Sequence, residues 1–64
     1  MANSKIIARY THIGDPAIRH NVVREGNKYA VFFVGGKDLS IRIGEPSASQ
    51  GDAMKLARQV SGLG

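Results

Sequence analysis

The dipeptide Gly26-Asn27 lies between two runs of strand-forming residues, Asn21 to Glu25 and Lys28 to Val34, and it restricts the chain more than any other feature. Glycine at the first central position of a two-residue loop suits a type II′ turn, whose twist matches that of the strands it joins. The two runs are therefore expected to pair as an antiparallel hairpin with Glu25 opposite Lys28. Gly35-Gly36 interrupts the chain next, ahead of Asp38-Leu39-Ser40-Ile41-Arg42-Ile43, where polar and apolar residues alternate at the strand period of two. That alternation predicts a half-buried strand, and a following strand makes Gly35-Gly36 a hairpin turn rather than a phosphate-cradling loop, which would open a helix.

Upstream, Lys5 to Ile13 is rich in β-branched and aromatic residues and is closed by Gly14-Asp15-Pro16, so a first strand is expected there, followed by a long loop. Downstream, Glu45-Pro46 is expected to stop the sheet, and Ser47 or Ser49 can cap a helix by accepting an orphaned first-turn amide. Ala53, Leu56, Ala57 and Val60 fall at helical spacing on one stripe, and Gly62 suits a left-handed helix end. The expectation is one α+β domain over residues 1–64: strands near 5–13, 21–25, 28–34 and 38–43 in an antiparallel meander of three to four strands, and a helix near 49–61 packed on one face.

The second turn decides what the other face offers. A three-residue turn, Gly35-Gly36-Lys37, puts Tyr29, Val31, Phe33, Leu39, Ile41 and Ile43 under the helix and leaves Lys28, Ala30, Phe32, Ser40 and Arg42 outside. A two-residue turn shifts the pairing by one and exchanges the sets, placing Tyr29, Val31 and Phe33 outside with Arg24 and Arg42. Either register leaves Arg42 and at least one aromatic on the face away from the helix.

Nine Lys and Arg against five Asp and Glu give +4, and residues 1–34 hold three of those charges, with no Lys/Arg run and no repeat. This excess favours a polyanion or an acidic protein surface as partner, met by a folded surface and not by a basic tail. Cysteine is absent, so disulfides and thiolate zinc sites are excluded, and a reducing cytoplasm fits. His12 and His20 have no carboxylate or thiol companions in metal-ligand spacing; no metal and no cofactor is expected. The apolar run Ile6-Ile7-Ala8 ends at Arg9, too short for a signal segment or a membrane span. Ser, His and Asp occur without any nucleophile spacing, and a chain of 64 residues offers little depth for a cleft, so an enzyme is not expected.

From Asn21 to Val60, the segments Val-Val-Arg-Glu-Gly-Asn-Lys-Tyr-Ala-Val, Gly-Gly-Lys-Asp-Leu-Ser-Ile-Arg-Ile-Gly and Asp-Ala-Met-Lys-Leu-Ala-Arg-Gln-Val resemble small domains of three strands and a helix. One such family is the arm-site-binding domain of tyrosine recombinases, related in shape to the plant ethylene-response DNA-binding domain. A group of short bacterial ββ-β-α proteins is similar as well. In the recombinase type the sheet enters the major groove, so the resemblance implies that Arg24, Lys28 and Arg42 do so here.

The reading that follows is a small basic nucleic-acid-binding module that uses its exposed sheet face. Arg24, Lys28 and Arg42 would meet phosphates or base edges, and Phe32 or Tyr29 would stack. The alternative is a non-enzymatic protein-interaction module, an adaptor or inhibitor, using the same apolar face. Because one helix cannot cover both faces of the sheet, a homodimer is also expected.

Overall fold

The computed structural model describes residues 4–36 and 39–63. Four strands, β1 (Ser4–His12), β2 (Asp15–Glu25), β3 (Lys28–Gly35) and β4 (Leu39–Ser47), form an antiparallel sheet in the order β1-β2-β3-β4, followed by α1 (Gln50–Val60). The central hairpin is built as its turn chemistry demands: Glu25 stands opposite Lys28, Gly26 takes φ 65°, and Asn27 keeps a negative φ, the type II′ signature. Gly35 pairs with Leu39, so the connection is residues 36–38 and not Gly35-Gly36-Lys37; it keeps the facing of the three-residue alternative and places Phe33 beside Ile41 and Phe32 beside Arg42. Asp38, the expected start of the last strand, lies outside the described residues, as does Lys37.

Two boundaries differ from the sequence expectation. The long loop before β2 does not exist: β2 begins at Asp15, directly after Ile13-Gly14. Proline is tolerated at the start of a strand, and the Asp15 carboxylate accepts the Ala17 N–H at 3.0 Å, which holds the chain in place as pairing begins. Nor does Glu45-Pro46 end the sheet, since β4 continues to Ser47. The ladder shifts between Tyr29 and Val31 opposite residues 43–47, with Gly44 at φ 66°, and such a bulge on an edge strand accommodates a residue that cannot donate.

The helix begins as its serines predict. Ser49 Oγ accepts the Asp52 N–H at 3.4 Å, and Ser49 N–H donates to Ser47 Oγ at 3.1 Å. It ends in a Schellman arrangement, with Leu63 N–H donating to the Arg58 carbonyl at 2.9 Å and Gly62 N–H to the Gln59 carbonyl at 3.1 Å. Gly62 is required twice over: its φ is 81°, and a Cβ there would stand 2.5 Å from Ile13 Cγ2.

The core is small. Val22 and Val31, paired across β2 and β3, are buried beneath Ala53 and Ala57, whose short side chains let α1 approach the sheet closely. Ile7, Ala8, Tyr10, Tyr29, Ile43, Met54 and Leu56 pack around them. A register shift at Ile7 in β1 explains why two consecutive residues, Ile7 and Ala8, both reach this core. Among the described residues, no helix is long and apolar enough to cross a membrane.

Candidate nucleic-acid interface

Because α1 lies on one side of the sheet, the alternation along each strand fixes what the other side presents. Its middle row runs straight across all four strands: Arg9 is paired with Asn21, Asn21 with Phe32, and Phe32 with Arg42. One row towards the β1–β2 turn lie Thr11, Arg19, Val34 and Ser40; one row the other way lie Ile6, Val23 and Ala30. Beyond those, Lys28 stands beside Glu25. Arg9, Arg19, Lys28 and Arg42 are exposed, and Val23, Phe32 and Val34 between them are half-buried.

Glu25, the cross-strand partner of Lys28, lies on this side and is engaged. Arg42 Nη2 donates to Glu25 Oε1 at 3.1 Å, a partly exposed pair. Arg42 also lies over Phe32, its guanidinium carbon 5.5 Å from the ring centroid, so the cation rests on the negative face of the ring. The face therefore offers cations around apolar and aromatic surface, with the Glu25 carboxylate paired to Arg42.

Between these side chains lies a depression of 240 Å³, lined by Ile6, Asn21, Val23, Glu25, Phe32, Val34 and Ser40. Its floor is apolar. Asn21 Oδ1 is covered there and has no hydrogen-bond partner among the described residues. A buried acceptor in that state costs about 1–3 kcal/mol, and a ligand in the depression would meet it only after the side-chain amide rotates.

The structure divides the residues singled out from the sequence. Lys28, Phe32 and Arg42 share the helix-free face. Arg24 and Tyr29 pair with each other on the helix-bearing face, where Tyr29 packs against the core. Arg24 Nε donates to the Gly26 carbonyl at 3.1 Å, so this arginine braces the hairpin turn. Arg9, Arg19 and Asn21 were missed. The signal for the last two was present as the alternation of Arg19, Asn21 and Val23 with Ile18, His20 and Val22, but Asp15-Pro16 hid it behind a turn motif.

The histidines serve the opposite face. His20 is buried, its Nδ1 2.9 Å from Ser61 Oγ, and its ring makes edge contacts with His12 and Phe33 at centroid distances of 5.9 and 5.5 Å. Ile13 N–H donates to the Ser61 carbonyl at 2.9 Å, so the same serine ties the helix end to the β1–β2 turn twice. Burial, and secondarily the neighbouring His12, hold the His20 imidazole below its usual 6.5. Among the described residues, no group of three metal-ligating side chains occurs. Comparison with protein-family models, with curated proteins and with solved structures returns no match to this chain.

Proposed function

We propose that this chain is a nucleic-acid-binding module and that the helix-free face of its sheet is the contact surface. The observation that carries the reading is the cross-strand row Arg9, Asn21, Phe32, Arg42, with a cation at each end and an amide and an aromatic ring between. Cations at the ends suit phosphates, and the middle pair suits bases. Arg19 and Lys28 extend the positive border above and below the row. Arg24 and Tyr29, on the other face, have no part in this surface.

Fluorescence anisotropy with labelled oligonucleotides at two salt concentrations tests it. With up to four cations engaged, affinity should fall with salt at a log–log slope of roughly 3, at about 0.9 counterions per phosphate on duplex and somewhat fewer on a single strand. The double variant Arg9→Glu, Arg42→Glu should lose binding at low salt. An affinity that ignores both salt and this variant would refute the reading.

A second reading, self-association as a protein-interaction module, is favoured by a separate observation. The edge strand β4 carries Leu39 and Ile41 at 49% and 52% exposure on the helix-bearing side, where α1 does not cover them. An edge with exposed apolar side chains is a template for pairing with a second copy. A dimer mass in sedimentation equilibrium would support it, and a monomer at all concentrations would exclude it.

A further inference from the structure

Resting on the nucleic-acid reading above, we infer that the 240 Å³ depression on the helix-free face is a pocket for one unpaired base, which makes single-stranded nucleic acid the ligand. The row that crosses the depression has its two cations three inter-strand spacings apart, roughly 14 Å. Phosphates held at the two ends leave the middle of the row, Asn21 and Phe32, to whatever lies between them. A strand laid from Arg9 to Arg42 puts a base there.

The lining tells against a ligand that offers only its backbone. Ile6, Val23, Phe32 and Val34 supply apolar wall that a phosphate or a sugar edge cannot use, whereas the flat face of a heterocycle can. In a duplex both faces of each base are covered by stacked neighbours, so the ring of Phe32 could reach none of them; an unpaired base has a face free. The polar lining is of the kind that reads a base edge. Asn21 brings a carboxamide whose oxygen is unpaired, and Ser40 brings a hydroxyl. A carboxamide pairs with a base edge through one acceptor and one donor, and rotation about its terminal torsion offers either end. Arg42, already resting on Phe32 and tied to Glu25, is placed to close over the seated base while meeting its phosphate.

The test compares three labelled ligands of equal length on the intact chain: a mixed-sequence single strand, the same sequence as a duplex, and a strand of abasic sugar-phosphate units. The abasic strand keeps the charge and removes the bases. The single strand should bind about tenfold tighter than either of the others, the size expected when one base gains an aromatic stacking partner. Phe32→Ala should reduce the single strand to the abasic level; the three-ligand comparison on the unaltered chain decides the matter even if that variant fails to fold. A duplex or an abasic strand bound as tightly as the base-bearing single strand overturns the pocket and leaves the nucleic-acid reading standing. No binding of any of the three at low salt removes both.

Discussion

Two rows of side chains one residue apart cross the same sheet in opposite directions from its plane, and they could hardly differ more. Ala8, Val22, Val31 and Ile43 form one; Arg9, Asn21, Phe32 and Arg42 form the other. The first row lies under α1 and is the centre of the core. The second has no element over it among the described residues, yet it still contains a large aromatic ring and is flanked by Val23 and Val34. A face kept only for solvent would need neither. In a chain this small, where the core supplies only about 3–5 kcal/mol, apolar surface left out of the core is stability forgone. The contrast teaches that one face holds the fold together and that the other leaves apolar and aromatic surface uncovered between cations.

The sharpest way to break that contrast is to make the same change on both faces. Val22→Thr and Val23→Thr are nearly isosteric and adjacent, and each adds one hydroxyl. Val22 is fully buried between Val31 and α1, so its hydroxyl would find no partner, and a loss of about 2 kcal/mol is expected, near half of the total. Val23 borders the depression, where water can satisfy the hydroxyl, and a change within about 0.5 kcal/mol is expected. Urea unfolding followed by circular dichroism measures both. Equal losses would show that the helix-free face is core as well.

A second test acts on the helix-bearing face alone. His20 sits between His12, Phe33 and Ser61, and its imidazole is held below 6.5 by burial and by His12. Because the shift is downward, the unfolded chain takes up the proton first as the pH drops. The contribution to stability is complete above 6.5 and is lost as the pH falls from there through the lower folded-state value. Urea midpoints should therefore decline on the acid side of 6.5, and His20→Gln should remove most of the decline. An undiminished slope in the variant would place its source elsewhere.

These two tests probe residues whose roles were unequally legible in the sequence. The hairpin at Gly26-Asn27, the alternation of Leu39, Ile41 and Ile43, and the stripe Ala53, Leu56, Ala57, Val60 each follow from local chemistry, and the α+β meander with its helix follows from them. Register was the harder matter. Gly35-Gly36 permits a two- or three-residue turn, and only the pairing of Gly35 with Leu39, which moves a three-residue connection to residues 36–38, puts Phe32 outside and Tyr29 inside. Arg24 was misplaced for the same reason, since parity along β2 follows from its partner strand and not from its own composition. Asp15-Pro16 reads as a turn wherever it occurs, and no local signal shows that here it opens a strand. Arg9, Arg19 and Asn21 become one surface with Phe32 and Arg42 only through long-range pairing, and for that reason the row was invisible beforehand.

The smallest expected effect sharpens the comparison most, because it separates stability from binding on a single face. Glu25 and Arg42 are joined at 3.1 Å, with side chains 35% and 46% exposed. An ion pair that open to water contributes little, so Glu25→Gln should change the unfolding free energy by no more than about 0.5 kcal/mol. Its effect on the surface is different in kind. The carboxylate repels phosphate and holds the guanidinium that the row would present to it; removing the charge frees Arg42 and makes the face more positive by one. Affinity for a single strand should therefore rise by roughly twofold to fivefold at low salt, and the gain should shrink as salt screens it. Arg42 would keep its place over Phe32, since that contact does not depend on Glu25. A variant that loses stability on the scale of Val22→Thr would mean that the pair is part of the fold, and one that binds more weakly would mean that Glu25 itself contacts the ligand.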